Sequence, residues 1–240
     1  MVSFRLPASP AATWPEYLAS RAAQAQDARL KRYFSSPWPD PETAVTEVPL
    51  VALDMETTGL DPQRDAIVSI GLVPFDQQRI RFSARRYWVL KPPRPLNDKS
   101  VTLHRITHSQ IANAPDFGEV LDELLQALSG KLVVVHYREI ERRFLDGAVQ
   151  ARLNEGIRFP VIDTMALEAR LHRLSRWARF RRWIGRPPVS IRLQDSRSRY
   201  GLPIYPGHHA LTDALATAEL FQAQLATHFS PTTPIKKLWC

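Results

Sequence analysis

Two acidic residues follow a short apolar segment, and their spacing suggests metal chemistry. Residues 48–53 read VPLVAL, and Asp54 and Glu56 come directly after them. A short apolar run of this kind predicts a buried strand, in which alternate side chains share a face. Two carboxylates on one face repel each other unless a cation lies between them. We expect either a metal site here or a strand that ends in a turn with two solvated acids.

A cation site needs further ligands, and two later segments offer them. Glu139 and Glu141 follow the apolar segment 132–135, with Asp146 further on, and Asp213 lies five residues after His208. Parallel neighbouring strands present their carboxyl ends at one edge of an α/β sheet. The strand before Asp54 and the strand 132–135 are therefore expected to bring these groups together.

The order of apolar segments predicts an α/β fold with a mixed sheet. Further strands are predicted at 66–74, 80–90, 132–135 and 159–163, and the turn at 75–78 indicates antiparallel neighbours. A helix with a clear apolar stripe is predicted before Gly130, and others after His136 and from Thr164. A long Ala-rich helix is predicted from His208 to about residue 229.

Proline-rich breaks divide the chain into three predicted parts. They are an N-terminal helical extension and linker at 1–46, a main domain at 47–230 and a C-terminal tail at 231–240. Residues 14–34 are rich in Ala, Gln, Arg and Leu, which favour a helix. We expect this helix to pack on the main domain; the alternative is a helix that docks a partner.

The composition favours a polyanionic partner. The 240 residues carry a formal net charge of +8, which points to nucleic acid first and to an anionic membrane surface second. Cys240 is the single cysteine, so an intramolecular disulfide and a thiolate metal cluster are excluded. The chain has no apolar run long enough for a membrane span, and no signal-peptide pattern at its start. We expect a soluble cytoplasmic protein.

Residues 54–60 (DMETTGL) resemble the first motif of the DEDD-type 3′–5′ exonucleases, the DnaQ-like family. That family includes the proofreading epsilon subunit of the bacterial replicative polymerase. The resemblance continues in order through 69–71 (SIG), 103–107 (LHRIT), 161–164 (VIDT) and 208–214 (HHALTDA). An ordered set of motifs is far more specific than a lone pair of acids. It implies a ribonuclease-H-like fold, with helices flanking the mixed sheet, and hydrolysis from a 3′ end.

The second motif departs from the family pattern. The family has His-Asn, then Asp, then Phe-Leu; this chain has His136-Tyr137, then Glu141, then Phe144-Leu145. Glutamate still offers oxygen to a hard cation, but its extra methylene moves the carboxylate. We expect Glu141 to serve as the ligand, with a solvated helix acid as the alternative.

The third motif assigns the chain to the histidine subclass. The family has either a His five residues before the last Asp or a Tyr four residues before it, and here His208 and His209 occupy these positions. A histidine can accept a proton from water near neutral pH. The resemblance therefore implies that His208 is the base and that His209 is a neighbour in the loop.

The resemblance also implies the cofactors and the substrate contacts. Two Mg²⁺ or Mn²⁺ ions would be held by the four acids and would act on the scissile phosphate. The metal ligands are then Asp54, Glu56, Glu141 and Asp213. The residues that would contact the terminal nucleotide are Thr57, Thr58, Leu60 and His104. Asp163 matches the family as well, but its place beside Thr164 indicates a helix cap.

An arginine-rich segment lies outside the family motifs. Residues 170–199 contain ten arginines interleaved with Trp177, Phe180 and Trp183. Arginines can neutralise phosphates, and aromatic faces can stack on bases. The segment is interpreted as a nucleic-acid surface or as a basic surface helix with its aromatics in the core.

These residues predict a metal-dependent 3′–5′ exonuclease that acts on single-stranded DNA or short oligonucleotides. Its expected partners are DNA or RNA 3′ ends and a polymerase or other partner protein, with no membrane. One alternative is an RNA-trimming exoribonuclease, because no residue can be assigned to reading the 2′-hydroxyl. Another is a catalytically impaired nucleic-acid-binding or polymerase-associated subunit, which the unusual Tyr137 and Glu141 suggest.

Overall fold

A five-stranded mixed sheet is the centre of the protein, as a computed structural model describes it for residues 13–93, 108–173, 183–185 and 187–240. The strands are β1 (Leu50–Thr57), β2 (Ile67–Phe75), β3 (Arg86–Val89), β4 (Leu132–Val135) and β5 (Val161–Asp163). Their order across the sheet is β3-β2-β1-β4-β5. β1 pairs with β2 in antiparallel register and with β4 in parallel register. The predicted α/β fold with a mixed sheet is confirmed.

Helices cover both faces of the sheet. In the described ranges they are α1 (Trp14–Gln24), α2 (Ala28–Phe34), α3 (His108–Ala112), α4 (Phe117–Leu128), α5 (Arg138–Leu153), α6 (Thr164–His172), α7 (Leu193–Arg199) and α8 (Ala210–His228). Short 3-10 turns lie at Val45–Glu47, Phe82–Ala84 and Ile235–Lys237. Among the helices that the structure describes, none has the length and apolar character that crossing a bilayer requires.

The central strand β1 divides the core into two layers. Its odd-numbered residues Val51 and Leu53 pack with the apolar stripes of α4 and α5, whereas Leu50 and Ala52 pack with α8. Such alternation follows from the two-residue repeat of a strand. Asp54 and Glu56 continue the even-numbered set, so both acids lie on the α8 face at the carboxyl end of β1.

Two of the predicted elements are interrupted in the structure. The single helix expected at 14–34 is two helices, because Asp27 caps α2 by accepting a hydrogen bond from the Arg29 backbone at 2.8 Å. The Glu155 carboxylate stabilises the break between the two helices by accepting a hydrogen bond from the backbone N–H of Asp27 at 2.8 Å. The strand expected at 80–90 is shorter, because the turn Phe82–Ala84 interrupts it and β3 begins at Arg86.

The segments at the two ends of the described chain pack on the sheet. Leu30, Tyr33 and Phe34 of α2 are buried in the same cluster as Leu121 of α4. Near the other end, Trp239 forms an antiparallel bridge with Ile162 of β5. Helix packing on the main body therefore occurs as expected, while the domain boundaries at 1–46 and 231–240 stay a prediction.

Candidate active site

Three carboxylates meet at the carboxyl end of β1. One oxygen from each of Asp54, Glu56 and Asp213 lies within 4.8 Å of the other two. Glu56 and Asp213 are only 7% and 9% exposed, and Asp54 is partly buried. Buried acids at this distance are a natural set of oxygen ligands for a hard cation.

The first turn of α8 brings Asp213 to this position. The backbone N–H groups of His208 and His209 donate to Asp213 Oδ2 at 2.8 and 3.3 Å. In return the Asp213 N–H donates to the His209 carbonyl at 2.9 Å. The start of α8 packs closely over Gly71, which pairs with Asp54 across β1 and β2. The helix start and the strand end are thus held against each other.

Burial and mutual repulsion disfavour the charged forms of Asp54 and Asp213. Burial raises the pKa of Asp54 well above its usual range, and the nearby charges of Glu141, Asp213 and Glu56 raise it further. Burial also raises the pKa of Asp213, although its hydrogen bonds from the His208 and His209 backbone act in the opposite direction. A divalent cation would relieve both the crowding and the desolvation.

Glu141 lies near Asp54, in the first turn of α5, and is not one of the three carboxylates that lie within 4.8 Å of one another. It is 2% exposed and lies on the same side of the helix as the core residues Phe144 and Leu145. Among the neighbouring charges it has the largest effect on the pKa of Asp54. Its Oε2 atom has no hydrogen-bond partner in the part of the chain that the structure describes. Its burial excludes the alternative of a solvated helix acid, and an orphaned carboxylate oxygen near Asp54 suits a metal ligand, a role that stays a prediction.

The two other acids of α5 have structural partners. Glu139 is half-exposed and pairs with Arg138 at 3.3 Å. Asp146 accepts the backbone N–H of Ile157 at 2.8 Å and so holds the loop after the helix. Neither acid joins the carboxylate group.

The two adjacent histidines have different surroundings. His208 is exposed beside Asp213, and its backbone adopts the left-handed conformation with φ of 67°. His209 precedes the first residue of α8, and its ring stacks on Tyr87 with centroids 4.9 Å apart. The His209 imidazole is thus packed on an aromatic ring, whereas the His208 imidazole stays accessible at the mouth of the site. The roles of His208 as base and of His209 as a neighbour in the loop stay a prediction.

The loop after β1 is folded by an aspartate that sequence reasoning did not single out. Asp65 accepts a hydrogen bond from the Thr58 hydroxyl and another from the Asp61 backbone, both at 2.9 Å. Thr57 donates from its hydroxyl to the Gly59 carbonyl at 2.6 Å. An Asp that follows a glycine-containing turn is a recognisable signal for such a loop.

The predicted substrate contacts occupy this loop in part. Leu60 is 79% exposed at its tip, which leaves its side chain available to a ligand. The hydroxyls of Thr57 and Thr58 are used within the loop, so these residues shape it. His104 lies outside the described residues.

Asp163 has the structural role that its position predicts. Its carboxylate accepts the backbone N–H groups of Met165 and Ala166 at the start of α6. It also accepts those of Tyr137 and Arg138 at the start of α5. One buried carboxylate therefore caps two helices and fixes the helix that carries Glu141.

The arginine-rich segment is partly structural. Arg197 is 1% exposed and donates to the Ala216 carbonyl at 2.6 Å and to Glu219 at 2.7 Å. Arg199 pairs with buried Glu168. Arg197 is therefore a buried structural residue and not part of a nucleic-acid surface, and Arg199 is engaged in an internal ion pair. Arg179, Arg181 and Arg182, together with Trp177 and Phe180, lie outside the described residues.

Comparison with known proteins agrees with the geometry. The exonuclease family model (RNase_T) matches residues 51–221. The chain is 28% identical over 183 residues to the DNA polymerase III subunit epsilon of Treponema pallidum (strain Nichols), covering 75% of this chain and 78% of that protein. It is 33% identical over 171 residues to the PolC-type DNA polymerase III of Thermotoga maritima, covering 71% of this chain. The matched region spans only 11% of that PolC-type relative.

Solved structures share the fold. The nuclease domain of 3′hExo, described as a DEDDh family member bound to rAMP, has a TM-score of 0.59 at 17% identity over 75% of this chain and 92% of that chain. Exonuclease X in complex with 5′ overhanging duplex DNA has a TM-score of 0.56 at 23% identity over 77% of this chain and 96% of that chain. The chain belongs to the RNase_T exonuclease family and is a DnaQ-like 3′–5′ exonuclease.

Proposed function

We propose that the protein is a metal-dependent exonuclease that removes nucleotides from the 3′ end of single-stranded DNA. The observation that carries the proposal is the group of Asp54, Glu56 and Asp213, whose oxygens lie within 4.8 Å of one another, with Glu141 close enough to raise the pKa of Asp54. All four donors are carboxylates, which suit Mg²⁺ or Mn²⁺.

Each predicted site residue other than His104 has a role in this proposal. Asp54, Glu56, Asp213 and Glu141 would hold two divalent ions, which when bound supply a Lewis acid for the phosphate and a lowered pKa for water. His208 accepts the proton of the attacking water at a ring nitrogen. Leu60 packs against the terminal nucleotide, while Thr57 and Thr58 keep the loop beneath it in shape.

The substrate and partner are inferred from the relatives. The epsilon and PolC-type relatives are named as DNA polymerase III proteins, which favours DNA and a polymerase partner. The 3′hExo neighbour was solved with rAMP, so RNA is the second candidate substrate. The net charge of +8 favours the binding of either a DNA or an RNA strand.

The experiment uses 5′-labelled single-stranded DNA and RNA of one sequence, with Mg²⁺ or Mn²⁺ and in EDTA. A metal-dependent ladder of shortened DNA supports the proposal, and Asp54→Ala should abolish the ladder. Faster trimming of RNA would replace the DNA assignment with the exoribonuclease one. Strands that are bound but stay intact with both metals would contradict hydrolysis and favour a binding subunit.

A further inference from the structure

Tyr137 has an unusual backbone for its residue type. It lies at the end of β4, immediately before α5, with φ of 90°. Only glycine and, less well, asparagine or aspartate adopt this left-handed region without appreciable cost. The related motif has Asn at this place, a residue that tolerates such a backbone, and this chain has a bulky aromatic there. Strain of this kind persists only where the surrounding structure enforces it.

The surrounding structure does enforce it. The Tyr137 N–H donates to the buried Asp163 carboxylate at 3.1 Å, and the next N–H, from Arg138, donates to the same carboxylate at 3.2 Å. The Tyr137 carbonyl accepts from Ile140 at 3.1 Å in the first turn of α5. The peptide groups on both sides of Tyr137 are therefore fixed, so backbone rotation cannot change the direction in which the side chain leaves the main chain.

The ring itself has no structural task in the described part of the chain. Tyr137 is 45% exposed, and its ring and hydroxyl make no hydrogen bond or ring contact with the described residues. A large aromatic side chain normally stabilises a fold through burial of its ring, which offsets the conformational entropy lost when the side chain is ordered. Tyr137 thus combines a strained backbone with a side chain that contributes little to folding.

Its position relative to the carboxylates gives the ring a use. Tyr137 immediately precedes α5, whose first turn carries Glu141 near Asp54. Because β4 is parallel to β1, Tyr137 at the end of β4 lies at the same sheet edge as Asp54 and Glu56 at the end of β1. An exposed aromatic on a fixed backbone at the rim of a phosphodiester site is suited to stack on a base.

We propose that Tyr137 is a base-stacking platform that holds one nucleotide of an unpaired 3′ strand at the mouth of the carboxylate site. This inference rests on the proposed function, and it adds a specificity residue for strands whose bases are free to stack. Stacking requires that a face of the base is accessible, and it does not distinguish one base from another. The platform therefore favours single strands over duplex ends without preferring a particular base.

The test combines Tyr137→Ala with a set of DNA strands that each lack one base near the 3′ end. Binding is measured by fluorescence anisotropy in Ca²⁺, and KM and kcat are measured in Mg²⁺. We expect Tyr137→Ala to weaken binding of the intact strand about ten-fold, a typical loss for one base stack. At the position whose base would stack on Tyr137, the wild type should bind the abasic strand about ten-fold more weakly than the intact strand. At that position Tyr137→Ala should bind the abasic and the intact strand equally well. Tyr137→Phe should bind as the wild type does.

Two further variants separate recognition from folding. Tyr137→Asn should raise the melting temperature, because Asn tolerates the left-handed backbone, and should still bind about ten-fold more weakly. Phe82→Ala removes another exposed aromatic, in the turn before the amino end of β3, and should leave binding unchanged. Equal abasic losses for wild type and Tyr137→Ala at every position would overturn the inference. Anisotropy measures binding whether or not the strand is cut. A lack of cleavage in Mg²⁺, which would contradict the exonuclease proposal, is therefore distinguishable from a failure of the stacking inference.

Discussion

Gly71 of β2 lies directly beneath Ala210, the first residue of α8. A Cβ atom on Gly71 would lie 2.5 Å from the carbonyl carbon of Ala210, a distance that real Cβ atoms do not adopt. Since Gly71 pairs with Asp54 and α8 carries Asp213, this contact sets the distance between two of the carboxylates.

Gly71→Ala should therefore damage the site more than the fold. We expect a loss of activity of about 100-fold or more, because a displacement of about 1 Å has that effect on catalysis. The free energy of unfolding should fall by about 1–3 kcal/mol from overpacking. Activity assays and urea unfolding measure the two effects. Gly147→Ala in α5 is the control: its nearest outside atom is Pro62 O at 3.7 Å, so activity should be kept. Full activity of Gly71→Ala would contradict the role of the contact.

Glu141→Gln tests whether Glu141 replaces the usual aspartate. We expect activity to fall at least about 100-fold, because the change neutralises a ligand next to Asp54. The metal-free protein should become more stable, since a buried carboxylate without a hydrogen-bond partner on Oε2 is removed. Glu139→Gln, which changes a half-exposed acid on the same helix, should alter neither quantity. Unchanged activity of Glu141→Gln would show that Glu141 is not required as a metal ligand and that Asp54, Glu56 and Asp213 are the ligands.

The two histidines can be separated by replacing each one. His208→Ala should lower kcat about 100-fold or more, the usual contribution of a general base, and added imidazole should restore part of the rate. His209→Phe should keep most of the activity, because a phenyl ring can still stack on Tyr87. The reverse pattern would assign the base to His209.

His136 should make stability depend on pH. Its Nε2 lies 3.1 Å from the Ile191 carbonyl, which can only accept, so this nitrogen carries the hydrogen. Burial lowers the pKa of His136 from 6.5 to about 4, with the Asp163 charge acting in the opposite direction. Between these pH values the unfolded chain binds the extra proton and the folded chain does not, so stability falls as pH falls from 6.5 to about 4. Above pH 6.5 both states are neutral and the contribution is constant.

The size of this effect can be measured by substitution. The full shift is worth up to about 3 kcal/mol. His136→Gln should remove it, so the stability of the wild type relative to this variant should decline between pH 6.5 and pH 4 in urea unfolding. A constant difference between the two proteins across this range would show that His136 is not held neutral.

Relations within one strand were easier to predict from the sequence than the bounds of the elements. Alternation along β1 placed Asp54 and Glu56 on one face, because that relation depends only on the repeat of a strand. The break between α1 and α2 depends on Glu155, which is far away in the chain, and so local helix preference missed it. The shortening of the strand before β3 was missed because β-forming residues there lie in a turn and not in the sheet.

What the sequence determined by itself was the order of the motifs and the candidate groups that they contain. Strand spacing placed the carboxylates at 54 and 56 on one face, whereas the resemblance to the DEDD-type motifs was needed to predict those at 141 and 213 and the histidine at 208. Tertiary structure alone decided that Glu141 faces Asp54 while Glu139 and Asp146 do not, because helix orientation depends on which side packs against the sheet. It also decided the stacking of Tyr87 on His209, the cap that Asp163 gives to two helices and the strained backbone of Tyr137. These relations join residues distant in sequence, and only packing brings them together.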